Sequence, residues 1–309
     1  MQLSEKLSNT VVEDSSFDLE KISKYLISKW KWFMAVGLLF AVIFASISTT
    51  LPNKYTSEVL LVDADDGTNG MDGIAGKLGG LAGLAGIGMS SAKEKKLIAL
   101  QILQSRQFLV NFVKSNKLEV LLFAVESWDQ ESNEYIFKDD VYSVEKDEWM
   151  PMEGANRTNY PTDLEIHTHV KSLINIDIDT TNRVTKVFFT YFDPEKAQEW
   201  LGMLLSQLNN RLRMTDIEEK ERQIQFLQEQ LALEKNTGIR NVFYSLIEEQ
   251  IKSSTLAKAR DEFVFKVIDP AIFPEHKSSP KRALITVLGG LVGGVICFLF
   301  FVMRFILKK

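Results

Sequence analysis

Residues 33–51 read FMAVGLLFAVIFASISTTL, a run of 19 residues without a charged side chain. At about 1.5 Å per residue, a helix of this length crosses a hydrocarbon core of about 30 Å. A second run, ALITVLGGLVGGVICFLFFVM at residues 283–303, has 21 residues and again no charge. Because a buried helix of a soluble domain seldom reaches this length without a polar face, the sequence predicts two transmembrane helices.

The first run differs from a cleaved signal peptide, the main alternative for an apolar segment near an N-terminus. Its apolar core exceeds the usual length of about 7–15 residues, and no small-x-small cleavage site follows at Pro52 and Asn53. Trp30 and Trp32 stand at its start, where amphipathic rings prefer the membrane interface. We therefore expect a retained anchor.

Basic residues predict the orientation. Four lysines lie between residues 21 and 31, whereas Lys54 alone follows closely after the first run, so the positive-inside rule places the N-terminus in the cytoplasm. The expected divisions are a cytoplasmic head at 1–32, transmembrane helices at 33–51 and 283–303, an extracytoplasmic domain at 52–282 and a cytoplasmic tail at 304–309. Such short cytoplasmic parts disfavour a receptor with a cytoplasmic output domain and an enzyme that uses ATP.

The composition excludes several classes of protein. The chain has 309 residues, is 45% hydrophobic and 25% charged, and carries a net charge of −5. That charged fraction is too high for a polytopic transporter, and the acidic balance gives no basic surface for nucleic acid. A single cysteine, Cys297, excludes an internal disulfide and every multi-cysteine metal site. No cofactor is expected.

Four stretches predict β-strands by their alternation or their β-branched residues. They are residues 54–64, the pair 173–179 and 183–192 joined by a turn, and 263–268. Since they come from both ends of the domain, we expect them to meet in one mixed sheet near the membrane. The predicted fold class is an α+β membrane protein, in which two transmembrane helices flank a domain with a membrane-proximal mixed α/β base and a long projecting coiled helix.

That long helix is predicted at residues 193–235. It starts with Asp193 as N-cap and Pro194 at the first helical position. At about 1.5 Å per residue it would be about 65 Å long, more than one compact domain needs, so its apolar seam predicts contact with other copies of the chain. The seam contains Leu201, Leu204, Leu208, Leu212, Ile224, Leu227 and Leu231.

The rest of the domain is less regular. Helical patterns occur at residues 94–116 and 161–172, and a second long helix is expected at about 242–261 after a break at Gly238. Residues 128–160 are polar, aromatic and irregular, which predicts a peripheral excursion. Residues 67–88 hold nine glycines among leucine, isoleucine and alanine, and two interpretations stay open: a flexible linker, or an apolar loop packed on another chain or on the membrane.

The second apolar run carries two overlapping pairs of small residues, Gly289 with Gly293 and Gly290 with Gly294. Such pairs allow close approach of helices in lipid, so we expect self-association through this face. Three prolines stiffen the approach to the run, and the last of them can start the helix. They are Pro270, Pro274 and Pro280.

Motifs of catalysis are missing from the sequence. No Walker A loop, G-x-S-x-G elbow or cysteine nucleophile is present. His167 and His169 would face one way on a strand, but their segment is predicted to be helical, so we interpret them as surface histidines rather than metal ligands. The chain is therefore expected not to be an enzyme, although acid pairs distributed across the fold stay open as an alternative.

Several residue blocks resemble the Wzz chain-length determinant family, also called polysaccharide co-polymerases. The blocks are PNKY at 52–55, LIEEQ at 246–250, FVFKVIDPA at 263–271, and SPKRA at 279–283. The resemblance implies an inner-membrane homo-oligomer whose periplasmic domains form a bell-shaped ring. It also implies control of the modal length of O-antigen or a related surface glycan, which a Wzy-type polymerase builds on a lipid-linked glycan, with no catalytic residue in the family itself.

Some relatives that serve capsule or exopolysaccharide export carry a cytoplasmic tyrosine kinase or a tyrosine-rich tail. This chain has no tyrosine after Tyr244, so it resembles the kinase-free class. The alternative within the family is a co-polymerase for capsule or exopolysaccharide export that works with a separate tyrosine kinase.

Overall fold

The computed structural model describes residues 28–64, 92–152, 154, 157–260 and 262–307. The glycine-rich residues 67–88 lie outside the described residues, as does most of the predicted cytoplasmic head. The chain separates into two compact units: one combines Met1–Pro52 with Ser279–Lys309, and the other is Asn53–Ser278. The predicted extracytoplasmic domain, 52–282, differs from the second unit by a few residues at each end.

The helices and strands follow in chain order. The helices are α1 (Trp30–Thr50), α2 (Ala92–Leu103), α3 (Arg106–Asn116), α4 (Glu119–Phe123), α5 (Asp163–Leu173), α6 (Pro194–Leu233), α7 (Thr237–Ala259) and α8 (Arg282–Leu307). The strands are β1 (Tyr55–Asp63), β2 (Val125–Asp129), β3 (Glu134–Phe137), β4 (Tyr142–Ser143), β5 (Glu148–Trp149), β6 (Ile174–Asp179), β7 (Val184–Tyr191) and β8 (Phe265–Asp269).

The first unit is a pair of apolar helices. Both α1 and α8 are long and apolar enough to cross a membrane, with mean hydropathies of 2.1 and 2.5. Most of their large side chains are exposed, including Leu38 on α1 and Leu291 on α8. Because lipid, unlike water, solvates such side chains well, exposed leucines are what a membrane-spanning helix requires.

The second unit is built on a four-stranded sheet in the order β6-β7-β1-β8. The prediction that strands from both ends of the domain meet in one sheet is confirmed. The prediction of a mixed sheet is wrong, because every neighbouring pair is antiparallel. The reason lies in α6, whose first half packs back across β7 and β1. After α6 and α7 the chain enters β8, and β7 and β8 run in the same direction on opposite sides of β1.

The hydrophobic core lies between this sheet and helices that include α3, α5 and α6. Val187 and Phe189 of β7, Leu204 of α6, Phe112 of α3 and Ile166 of α5 are each no more than 1% exposed. Trp200 of α6 packs against Phe189 and Tyr191 with ring centroids 6.1 and 4.6 Å apart. Burial of such large side chains is the main stabilising contribution, at roughly 1.5–3 kcal/mol for each aliphatic side chain.

Beyond the sheet, α6 pairs with α7 as a helical hairpin. The sequence placed a break at Gly238, whereas Gly238 lies in the first turn of α7. The break comes earlier because the side chain of Asn236 caps α7, accepting the Gly238 N–H at 2.9 Å. On the other side of the turn, the Arg240 guanidinium donates to the carbonyls of Leu231 and Glu234, which closes the C-terminal end of α6.

The region expected to be an irregular excursion contains two small hairpins, β2–β3 and β4–β5. Aromatic rings supply most of its packing. Successive pairs stand 5.3–6.3 Å apart along the series Tyr135, Phe137, Tyr142, Trp149 and Tyr160. Aromatic contacts of this kind, three of the four edge-to-face, stabilise a segment that is too small to have an aliphatic core of its own.

Candidate assembly surfaces

The glycines of α8 form the closest helix contact in the first unit. A side chain at Gly289 would place its Cβ 2.5 Å from the Cβ of Phe44, and one at Gly293 would lie 2.7 Å from the Cβ of Phe40. A Cβ added at Gly290 would lie 3.5 Å from the carbonyl oxygen of Gly37. Because a real Cβ never comes so close as 2.5 or 2.7 Å, α1 can pack here only against glycine.

This contact revises the predicted role of the small-residue pairs. Gly289, Gly290 and Gly293 face α1 of the same chain, so that surface is already covered and is not free for a second copy. Only Gly294 has open space where a side chain would project. A contact between copies through Gly294 stays a prediction.

The predicted seam of α6 divides into two parts. Leu201, Leu204 and Leu208 are fully buried and Leu212 is 8% exposed, all within the core of a single domain. Their interpretation as an oligomer seam is therefore replaced by a role in folding. The prediction was wrong for this part of α6 because a helix face that covers a sheet has the same spacing of leucines as a coiled-coil seam.

The second half of the seam belongs to the helical hairpin. Leu227 is buried on the half of α6 that pairs with α7, while Ile224 and Leu231 are half-buried. The exposed surface of the hairpin nevertheless carries several large apolar side chains among its charged ones. Its exposed large side chains include Met214, Phe226, Leu233, Tyr244, Ile251 and Leu256.

The proline-rich stretch after β8 is held against β1. The Ile272 N–H donates to the Glu58 carbonyl at 3.0 Å, and the Ser278 N–H donates to the Lys54 carbonyl at 2.9 Å. Between these bonds the chain passes Pro274, which is half-buried, whereas Pro270 is exposed at the end of β8. In the other unit, Pro280 stands two residues before α8.

Three side chains from different elements converge on the C-terminal end of α4. The Tyr191 hydroxyl donates to the Leu121 carbonyl, and Lys138 Nζ donates to the Phe123 carbonyl at 3.4 Å. Between them, the His169 ring is hydrogen-bonded to the backbone of Leu122. Since an α-helix leaves its last carbonyls without an internal partner, these side chains supply what the helix lacks.

Neither histidine is the surface residue that the sequence predicted. His167 Nε2 lies 3.0 Å from the Gln104 carbonyl oxygen, and the His169 ring packs 5.0 Å from the ring of Phe123. The pKa of His169 is lowered, chiefly by burial and further by the positive charges of Lys138 and Lys54. The two rings diverge on α5, as expected for positions i and i+2 of a helix.

A polar groove between α6 and β8 is explained by the open edge of the sheet. The Asn209 side chain accepts from the N–H groups of Val264 and Phe265 and donates to the Phe265 carbonyl at 3.1 Å. The Glu262 carboxylate accepts the Val267 N–H at 3.0 Å. These side chains cover backbone groups that an edge strand would otherwise expose. Among the described residues, no group of three or more His, Cys, Asp or Glu side chains could hold a metal ion.

Comparison with known proteins gives one family match. Residues 15–115 match the family model described as Wzz, chain length determinant protein. No curated protein matches the chain. Among solved structures, a full-length bacterial polysaccharide co-polymerase is 14% identical, with 92% of this chain and 97% of that chain covered and a TM-score of 0.35.

Two further solved structures are of similar kind. A fragment of the polysaccharide co-polymerase WzzB from Salmonella Typhimurium is 14% identical, covering 74% of this chain and 100% of its own, with a TM-score of 0.32. A mutant of the lipopolysaccharide O-antigen chain-length regulator of Shigella flexneri is 12% identical, covering 73% and 100%, with a TM-score of 0.26.

Proposed function

We propose that this chain, a polysaccharide co-polymerase of the Wzz chain length determinant family, regulates the length of a bacterial surface polysaccharide as an oligomeric scaffold. The match over residues 15–115 carries the proposal. It includes the block at 52–55 on which the resemblance was first based, while the blocks at 246–283 lie beyond it.

The partners proposed are a Wzy-type polymerase and its lipid-linked glycan.

Both termini lie in the cytoplasm of a cell whose inner membrane the chain crosses twice, since lysines precede the first span. Other copies of the chain bind through the helical hairpin, whose exposed surface includes large apolar side chains such as Phe226 and Leu233, at 59% and 76% exposure.

The protein acts as a regulator and not as an enzyme. Two features support this view: the glycines of α8 serve close packing with α1, and the polar side chains of the groove between α6 and β8 already bond the backbone of β8. Length control then depends on the geometry of the assembly rather than on an acid, a base or a nucleophile.

Deletion of the gene tests this function. We expect surface glycan to be made still, but with a broad length distribution instead of a modal one, on a gel of extracted polysaccharide. Complementation with the full chain restores the mode. Loss of all polymer in the deletion strain would contradict the proposal, and the identity of the affected polymer distinguishes O-antigen from capsule or exopolysaccharide.

A further inference from the structure

Three lysines at one end of the four-stranded sheet have no carboxylate within ion-pair distance among the residues that the structure describes. Lys54 Nζ lies 5.4 Å from the centroid of the Phe192 ring, and Lys138 Nζ contacts a backbone carbonyl. Lys277 Nζ lies 3.5 Å from the side-chain oxygen of Asn53. We call these lysines, together with His169, the basic cluster.

The members of the basic cluster are neighbours in space. Lys54 immediately precedes β1, and its carbonyl accepts the N–H of Ser278, the residue after Lys277. The charges of Lys54 and Lys138 both act on His169, and no carboxylate of the described residues counteracts them there. All three of these side chains are half-buried, so water screens their repulsion less than it would at a fully exposed site.

Such a group of neighbouring cations contrasts with the overall charge of this domain. Residues 53–278 carry 36 acidic and 26 basic side chains, a strongly acidic balance. Five other lysines of the domain form ion pairs among the described residues: Lys96 with Asp63 at 3.0 Å, for example, and Lys258 with Glu221 at 2.9 Å. The basic cluster therefore lacks an anion that the protein itself could easily have provided.

We propose that the basic cluster binds the phosphate groups of a membrane lipid. Lysine ammonium groups are compact point charges that suit phosphate oxygens. A bound phosphate offsets the repulsion between Lys54 and Lys138 and favours the protonated form of His169. In the chain, Lys54 is four residues beyond the end of α1, a stretch that spans at most about 14 Å. Lys277 is five residues before the start of α8.

Two lipids present this chemistry. One is the diphosphate of the lipid-linked glycan, a choice that rests on the proposed function; the other is the headgroup of an anionic phospholipid. Both place phosphate at the membrane surface, so the binding site is the same and only the source differs.

The test uses the full chain in nanodiscs of phosphatidylcholine, with inorganic pyrophosphate as the probe in titration calorimetry. We expect the double variant Lys54→Gln, Lys138→Gln to bind at least about tenfold more weakly than the unmodified chain. Lys252→Gln, which removes an exposed charge on α7, is the matched control and should change the affinity by less than about twofold.

A second measurement separates lost binding from lost folding. The variant Lys54→Arg keeps the charge and should keep the affinity. In the unmodified chain, carbon-13 NMR of labelled histidine should show that pyrophosphate raises the pKa of His169, because an anion then faces the ring. The double variant should show no such rise while its thermal unfolding stays cooperative.

Farnesyl diphosphate and phosphatidylglycerol distinguish the sources. If phosphatidylglycerol in the nanodisc suppresses pyrophosphate binding, the ligand is the phospholipid headgroup. If farnesyl diphosphate still binds in nanodiscs that contain phosphatidylglycerol, the ligand is the diphosphate of the lipid-linked glycan. Equal pyrophosphate affinity in the unmodified chain and the double variant would overturn the proposal, as would no binding at millimolar concentration. The binding experiment contains no polymerase, so a negative result there contradicts the phosphate site alone. A negative result in the gene-deletion test contradicts the proposed function.

Discussion

The Tyr135 hydroxyl donates a hydrogen bond to the carboxylate of Asp193, the residue that caps α6. The other oxygen of that carboxylate accepts the N–H groups of Glu195 at 2.8 Å and Lys196 at 3.3 Å. One buried side chain thus ties the β2–β3 hairpin to the start of the longest helix. The pKa of Tyr135 is raised, first by burial and then by this bond, so the hydroxyl keeps its proton.

Tyr135→Phe should loosen the hairpin and the first turn of α6 together. Removing one hydrogen bond to a buried carboxylate costs about 1–3 kcal/mol. We expect faster amide hydrogen exchange at residues 134–137 and at the start of α6. Tyr142→Phe is the control, since its hydroxyl bonds Asp147 within the same excursion; it should leave α6 unchanged. Unchanged exchange at α6 in Tyr135→Phe would contradict the link.

Gly293→Leu should separate the two membrane helices, whereas Gly294→Leu should not. A leucine at 293 collides with Phe40, but position 294 faces open space in the described structure. Thermal unfolding in detergent measures the difference, and contacts of this type contribute roughly 1 kcal/mol each. If both variants unfold at the same temperature, the glycine contact with α1 is not a stabilising one.

Phe40→Ala should partly rescue Gly293→Leu. The smaller side chain makes room for the leucine, so the combined change should cost less than the sum of the two single changes. A double-mutant cycle on unfolding midpoints checks this. Strict additivity would show that residues 40 and 293 do not touch.

Leu204→Ala and Phe226→Ala should act on different properties. Leu204 is fully buried, so its truncation should lower the free energy of unfolding by about 2–5 kcal/mol. Phe226 is mostly exposed, and its change should cost less than about 0.5 kcal/mol while weakening association. Denaturant unfolding and light scattering in mild detergent measure the two effects. A monomer at micromolar concentration for the unmodified chain would contradict the oligomer itself.

His169 should make the domain less stable in mild acid. Its pKa is lowered in the folded state, whereas an unfolded histidine titrates near about 6.5, so the unfolded chain binds more protons. Its stabilising contribution is complete above about pH 6.5 and decreases as the pH falls toward the folded value.

His169→Gln, which keeps a donor for Leu122, should flatten the dependence of unfolding free energy on pH between about 7 and 5. The exposed His276→Gln is the control. Glu165, whose pKa is lowered to about 2 by its bonds to Arg157 and Thr162, titrates in a lower range and does not obscure the result. If the unfolding free energy changes equally with pH in the unmodified chain, His169→Gln and His276→Gln, His169 does not cause the loss of stability in acid.

Local signals in the sequence predicted local structure well. The N-cap Asp193 with Pro194 located the start of α6, and alternation located β1 to within one residue at each end. Residues 94–116, however, were expected to be one helical pattern and form α2 and α3, because the Ser105 side chain accepts the Phe108 N–H and starts a new helix.

Pairing partners could not be predicted in the same way. The leucines of α6 have a spacing that fits either a sheet or a second helix, and only the position of β1 and β7 decides between them. The glycines of α8 likewise predict a close neighbour but not which one; the phenylalanines at 40 and 44 show that it is α1. The hydrogen bonds from Tyr191, His169 and Lys138 to backbone carbonyls form only where four distant segments of the chain meet. No short stretch of sequence contains all four, so these bonds could not be predicted.

Under the proposed function, the chain regulates polymer length without making or cutting glycan. The most direct test of this role compares membrane vesicles that contain the polymerase and lipid-linked repeat units, with and without the purified full chain. We predict that the chain alone yields no polymer, and that its addition narrows a broad length distribution to a mode on a gel. Synthesis or cleavage of glycan by the chain alone, or a distribution that its addition leaves broad, would contradict this account.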